Sequence, residues 1–317
     1  MKVFVTGANG QLGHDLLPEL SRQGHDVTGS GSRAQLVWDA DGKFPYISID
    51  ITDGAAVADT LSKLRPDVVI HCAAWTAVDA AEDDENRARV RAVNAQGTAY
   101  IADVCAKLGC KLIYISTDYV FDGSGETPWK PDEERFAPLN YYGETKLEGE
   151  KAIKAALERY FIVRTAWVFG NHGANFVRTM RKLGKTHPTL RVVNDQIGTP
   201  TYTPDLTRLL VDMAETERYG CYHATNEGGY ISWYDFACEI FRQSDYTTEV
   251  IPVTTTEYGL SRARRPFNSR LDKSLFSISP RTVCAPHFQL CRAVSPPDFD
   301  GKNVLSGEKS AVKPRIL

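Results

Sequence analysis

The sequence predicts an α/β fold: a doubly wound parallel sheet followed by a smaller, partly interleaved C-terminal lobe. Three observations carry this. Short apolar runs alternate with helical periods through most of the chain up to Thr165, the pattern of parallel strands covered on both faces. A glycine-rich turn, Gly7-Ala8-Asn9-Gly10-Gln11-Leu12-Gly13, joins the first apolar run to the first helical period. After Trp167 the rhythm loosens, and the connections become longer and richer in Gly, Pro and Thr.

Taken in order, residues 3–6 read as the first strand and 11–23 as the first helix. Strands follow at 25–29 and 46–49, a helix at 57–64, a fourth strand at 67–72 and one long helix over 85–108. A fifth strand at 111–116, a helix at 142–157 and a sixth strand at 161–165 complete the sheet pattern. Beyond it, 175–183, 205–214 and 233–243 carry helical periods, and 190–194 and 221–224 read as extended. The division expected is a dinucleotide-binding unit over 1–165 with a return segment near 195–225, and a substrate lobe from 166–194 and 226–274. From 275 to 317 no period is sustained, and Ser295-Pro296-Pro297 and Lys313-Pro314-Arg315 interrupt what pattern there is. That tail is expected to be irregular.

Composition narrows the class. A net charge of −3 over 317 residues gives no basis for nucleic acid or an anionic membrane surface as partner. No apolar run approaches the roughly 20 residues of a membrane helix, and the N-terminus opens into a strand without a signal-peptide pattern. The seven cysteines, at 72, 105, 110, 221, 238, 284 and 291, are odd in number and lack paired zinc-ligand spacing. They read as reduced thiols of a cytoplasmic protein.

The glycine turn has the spacing G-x-x-G-x-x-G. Glycines permit a tight turn and close approach of a pyrophosphate, and the following helix offers free N–H groups and a positive dipole end to that anion. A lone glycine triplet is weak evidence, but one set between a strand and a helix is the Rossmann signature. Gly7, Asn9, Gly10, Gln11, Leu12 and Gly13 are therefore assigned to a dinucleotide. The tip of the second strand, Gly29-Ser30-Gly31-Ser32-Arg33, has no carboxylate for a ribose 2′-hydroxyl. Arg33 suits a 2′-phosphate, so the tip favours NADPH, with NADH open. Asp50 and Ile51, after the third strand, are placed near the adenine. Ala73 and Ala74, after the fourth, are small enough for the cofactor to lie against the sheet edge.

The chemistry is carried by Ser116-Thr117 at the end of the fifth strand and by Tyr142 and Lys146 at the start of a helix. Residues at i and i+4 share a helix face. A phenol beside an ammonium makes a general acid for a carbonyl, because the ammonium stabilises the phenolate left behind. Thr117 can donate to the carbonyl oxygen, Lys146 can also hold the cofactor ribose, and Ser116 is assigned with the cofactor. Tyr141 lies five residues from Lys146 and off its face.

These features resemble the extended short-chain dehydrogenase/reductase family. The resemblance is carried further by His71-Cys72-Ala73-Ala74-Trp75-Thr76-Ala77-Val78-Asp79, Ser116 to Gly123, Pro138 to Lys146, Arg164 to Phe169, Asn194 to Thr201 and Arg264 to Asp272. It implies reduction of the C4 ketone of dTDP-4-dehydro-L-rhamnose to dTDP-L-rhamnose, a nucleotide sugar of cell-wall polysaccharide. By the family pattern Thr117, Tyr142 and Lys146 are catalytic. Thr76, Val78, Tyr119 and Trp167 surround the sugar, and Arg265 and Asn268 belong to the part that closes on the diphosphate. Some members are described as metal-bridged dimers, which leaves Mg2+ and a monomer or homodimer open. Asp15, near the corresponding acidic region, is assigned to a solvated helix face and to no metal site. Two other functions share the fold: a non-catalytic regulatory subunit and a nucleotide-sugar epimerase or dehydratase. The intact Thr117, Tyr142 and Lys146 speak against the first. The missing acidic tip at Gly29 to Ser32 speaks against the second.

Overall fold

The computed structural model describes residues 1–274, and the irregular tail expected over 275–317 lies outside the described residues. The elements of the first part are β1 (Lys2–Thr6), α1 (Gln11–Arg22), β2 (Asp26–Gly31), β3 (Tyr46–Ser48), α2 (Gly54–Leu64), β4 (Val68–His71), α3 (Asp84–Arg91), α4 (Gly97–Leu108), β5 (Lys111–Thr117), α5 (Tyr141–Ala156) and β6 (Tyr160–Thr165). The second part adds β7 (Val168–Phe169), α6 (Phe176–Gly184), β8 (Thr189–Val193), β9 (Ile197–Gly198), β10 (Thr201–Tyr202), α7 (Thr203–Ala214), β11 (Gly220–His223), β12 (Ile231–Ser232), α8 (Trp233–Gln243), β13 (Glu249–Val253), α9 (Thr255–Tyr258) and β14 (Asn268–Ser269).

Seven strands form one parallel sheet in the order β11-β6-β5-β4-β1-β2-β3. The expected doubly wound α/β architecture is thus present. Its strands are apolar because both faces are covered: all four residues of β4 are buried. On one face Leu16, Leu17 and Leu20 of α1 and Leu206, Leu209 and Leu210 of α7 pack on Val3, Val5 and Ile70. On the other, Val57, Leu61, Ile101 and Ile153 from α2, α4 and α5 pack on Phe4, Val69 and Leu112. Each such side chain contributes about 1.5–3 kcal/mol by leaving water. A third cluster, with Phe169, Phe176, Met180, Phe236 and Phe241, lies outside the sheet. The chain winds outward from β1 to β3 and then crosses back to β4, so the strand order reverses between β1 and β4. Ligands of such sheets bind beyond the carboxyl ends of strands at that point.

Three local departures from the expected elements bear on the site. The long helix over 85–108 is interrupted by a π-helical turn, Ala92–Gln96. The wider turn sends Asn94 inward, where its side chain accepts from the Trp75 N–H at 2.8 Å and donates to the Thr145 hydroxyl at 3.1 Å. Strand β2 runs to Gly31, which moves its tip to Ser32 and Arg33. Helix α5 begins at Tyr141, because Asn140 caps it by accepting from the Gly143 N–H at 2.8 Å. Strand β13, parallel to β8, was not foreseen: three of its five residues are exposed, so it shows no alternation. Asp53 caps α2 through the Ala55 and Ala56 N–H groups. Cys72, Cys105, Cys110, Cys221 and Cys238 are free thiols. Among the described residues no helix is long and apolar enough to cross a membrane.

Candidate active site

A cleft of about 950 Å³ runs along the carboxyl ends of the strands. At its start is the glycine turn. Gly7 has φ +70°, and a Cβ there would lie 2.7 Å from the Ala73 nitrogen. A Cβ on Gly13 would lie 2.5 Å from the Gly7 carbonyl oxygen. Only glycine permits both the turn and its contact with the segment after β4. That segment is fixed from beneath: Ala73 N–H donates to Thr6 Oγ1 at 3.1 Å, and Thr6 Oγ1 is 2.7 Å from His71 Nδ1. Burial drives His71 down to about 3, so the imidazole is neutral and structural.

Gly7, Gly10, Gln11, Leu12 and Gly13 line the cleft, as do Ile51, Ala73 and Ala74. Asn9 does so too, but its side chain is spent on protein. It donates to the Gln35 carbonyl and accepts from the Val37 N–H, which pins the loop after β2. Arg33, in that loop, faces the cleft and forms no ion pair among the described residues. Asp50 lines the cleft, yet its carboxylate accepts from Thr52 and from Arg89 Nη2 at 2.8 Å. Arg89 itself lines the cleft and is a second cation at this end that sequence reasoning missed. The glycine turn, the small residues behind it and an arginine without an ionic partner fit a phosphorylated dinucleotide.

Thr117, Tyr142 and Lys146 all line the cleft. Tyr142 sits edge-on to Tyr119, with ring centroids 5.9 Å apart. Burial pushes its phenol up, and the Asp118 charge adds to this, against a hydrogen bond with Thr117. Tyr142 is therefore protonated at neutral pH. Lys146 is 2% exposed, donates to the Ile115 carbonyl at 2.7 Å and lies 4.0 Å from the Tyr114 ring centre. Burial pulls its ammonium down to about 7, against an upward pull from Glu150. Thr117 donates to Asp118 Oδ1 at 3.0 Å. Asp118 also accepts from Ser269 at 2.5 Å, and burial raises its carboxyl to about 6. Tyr141 faces elsewhere, with its hydroxyl on the Arg87 carbonyl at 3.3 Å.

Ser116 reaches the cleft, but its hydroxyl donates to Glu150 Oε1 at 2.6 Å. Glu150 in turn takes a two-pronged bond from Arg164 at 2.9 and 2.7 Å. All three groups are buried. This pair ties β5, β6 and α5 together behind Thr117 and Lys146. The sequence offered one signal for it, a glutamate four residues after Lys146 on the same helix face.

Thr76, Val78, Tyr119 and Trp167 line the far part of the cleft. Trp167 has φ +51° and stacks on Trp233 with ring centres 3.6 Å apart. A positive φ at a bulky residue is a strained backbone held by its surroundings. Arg265 lines the cleft with its fork on Asp79, at 2.8 and 3.1 Å. Asn268 is not in the cleft. It is 2% exposed, donates to the Ser124 and Thr127 carbonyls and accepts from Arg270. Where a place on the diphosphate was expected, the amide instead holds the 124–127 loop against β14. Arg191, on β8, lines the cleft and was not singled out from sequence. Asp15 also differs from expectation. Its side chain is 14% exposed, against His172, and burial raises its carboxyl.

Known proteins resemble this chain in sequence and fold. The profile of the RmlD substrate binding domain matches residues 1–289. The dTDP-4-dehydrorhamnose reductase of Streptomyces griseus is 42% identical over 277 residues, covering 86% of this chain and 85% of the relative. A crystal structure of the dTDP-4-dehydrorhamnose reductase of Clostridium acetobutylicum superposes with a TM-score of 0.82 at 39% identity, covering 93% of this chain and 98% of that one. The Bacillus anthracis dTDP-4-dehydrorhamnose reductase, solved in complex with NADP, superposes with a TM-score of 0.82 at 36% identity and covers 92% and 98%. On a match that spans all of its described residues, the chain belongs to the RmlD substrate binding domain family.

Proposed function

We propose that this chain reduces the C4 ketone of dTDP-4-dehydro-L-rhamnose to dTDP-L-rhamnose with NADPH, in the cytoplasm, as a monomer or homodimer. The observation that supports the reading is that Thr117, Tyr142 and Lys146 line one cleft with the glycine turn and Arg33. Relatives that are 36–42% identical are named for this reaction. NADPH, when bound, supplies the hydride.

The chain's own groups do the rest. The glycine turn and the start of α1 hold the pyrophosphate, and Arg33 holds the 2′-phosphate. Tyr142, protonated by virtue of its burial, donates its proton to the carbonyl oxygen as C4 is reduced. The Lys146 ammonium stabilises the resulting phenolate. Thr117 turns its hydroxyl from Asp118 to the substrate oxygen, exchanging one acceptor for another. Thr76, Val78, Tyr119 and Trp167 enclose the sugar, and Arg265 meets the diphosphate from its seat on Asp79.

The test is NADPH oxidation dependent on the dTDP-4-keto sugar, in wild type and Tyr142→Phe. Phenylalanine keeps the ring against Tyr119 and removes the proton, so the rate falls by about 10²–10⁴ while NADPH binding is retained. A folded, NADPH-binding wild type that does not turn over this substrate would overturn the reading.

A further inference from the structure

Magnesium does not fit the region around Asp15. Mg2+ demands near-ideal octahedral oxygen geometry and is held by carboxylates, phosphates and water. Here the side chains that converge are two imidazoles and one carboxylate, from His14, Asp15 and His172. His14 and Asp15 lie on the first turns of α1, and His172 belongs to the loop that follows β7. The two imidazole rings face each other with centres 3.2 Å apart and planes within 15°. One donor atom from each of the three residues lies within 4.8 Å of the others. His172 Nε2 is 4.0 Å from Asp15 Oδ1, too far for a hydrogen bond.

A second observation points the same way. Among the described residues no donor meets the buried Asp15 Oδ2 with full hydrogen-bond geometry, and the nearby Thr203 hydroxyl gives it only a partial bond. A buried carboxylate oxygen without a donor is costly. A cation shared with the two imidazoles removes that cost. Arg178, the neighbouring cation, is turned onto the Asn171 carbonyl.

We propose that His14, Asp15 and His172 bind one divalent transition ion of the imidazole-preferring class, such as Zn2+, Ni2+ or Co2+, and not Mg2+. Neutral imidazole suits these ions, and three protein ligands leave a position for water. Bonds of about 2.0–2.1 Å to nitrogen require donor separations of about 3.4 Å, so binding draws the donors together and opens the ring stack. His172 is 38% exposed, which gives the ion and its water access from solvent. The ion would clamp the loop after β7 to α1. That loop is already tied to the cofactor turn by Asn175, which donates to Gln11 Oε1 at 2.7 Å.

The probe is Co2+, added to the metal-free full chain. The expected result is one Co2+ per chain with visible bands of nitrogen and oxygen ligation, no thiolate charge transfer, displacement by Zn2+, and a raised Tm. Millimolar Mg2+ should neither displace Co2+ nor raise the Tm. His172→Ala, at an exposed loop position, and Asp15→Asn should each weaken Co2+ at least tenfold, with retained NADPH binding as proof of folding. Three outcomes would overturn the proposal: no stoichiometric Co2+, equal binding by wild type and both folded variants, or displacement by Mg2+. Either of the first two would leave the stacked histidines as packing alone, and the third would deny the site its preference for imidazole-binding ions.

Discussion

Lys146→Met separates what the chemistry needs from what the fold prefers. Burial carries the ammonium from 10.5 to about 7. At about 1.4 kcal/mol per unit, holding the charge inside costs the cofactor-free fold on the order of 5 kcal/mol below neutrality. Because the folded pKa lies below the unfolded one, the unfolded chain binds more protons between them. Stability therefore rises with pH from about 7 towards 10.5, and the penalty is complete below about 7. Methionine removes the charge at similar length. Against this gain stand the bond to the Ile115 carbonyl, whose loss costs about 1–3 kcal/mol, and the contact with the Tyr114 ring, about 0.5–2 kcal/mol. The net at pH 7 is a stabilisation of up to about 3 kcal/mol, with substrate-dependent NADPH oxidation lost. Urea unfolding of the cofactor-free protein reads it. The variant should have the higher midpoint at neutral pH, and the difference should shrink by about pH 9. An equal or lower midpoint, or a difference independent of pH, would refute the reasoning.

Further outcomes follow from other residues. Arg33→Ala should weaken NADPH by roughly 10–100-fold, the worth of a charge-assisted bond of about 1.5–3 kcal/mol, and leave NADH nearly unchanged; calorimetric titration showing equal effects would deny Arg33 the phosphate. Arg164→Met strands the buried Glu150 carboxylate and should cost about 3–5 kcal/mol in unfolding free energy. The double variant with Glu150→Gln should recover most of that loss, and additive costs would show that the pair acts as two independent residues. Asn94→Ala removes both the Trp75 and Thr145 bonds and should lower kcat/KM at least tenfold without changing the far-ultraviolet dichroism. Unchanged kinetics would remove Asn94 from the positioning of the site.

The parts of the molecule that depend on local pattern were legible in the chain. Continuous apolar runs specify strands buried on both faces, and glycines specify a turn pressed against Ala73. The i, i+4 spacing of Tyr142 and Lys146 specifies a shared helix face. What the spacing could not contain is where side chains end once they pack. Asn268 and Ser116 carry groups suited to a ligand, yet tertiary neighbours consume them: the 124–127 carbonyls in one case, Glu150 in the other. Asn94 is aimed by a π-helical turn that heptad-like periodicity hides. His172 meets His14 across 158 positions of chain, and Asp15 lies beside that meeting with its side chain 14% exposed. The chemistry and the fold class were thus written in short-range pattern, because backbone sterics and periodic burial act over a few residues. The protonation of Lys146, the commitment of Asp118 and the donor set at Asp15 were decided by tertiary packing alone, because burial and hydrogen-bond satisfaction are properties of the assembled interior.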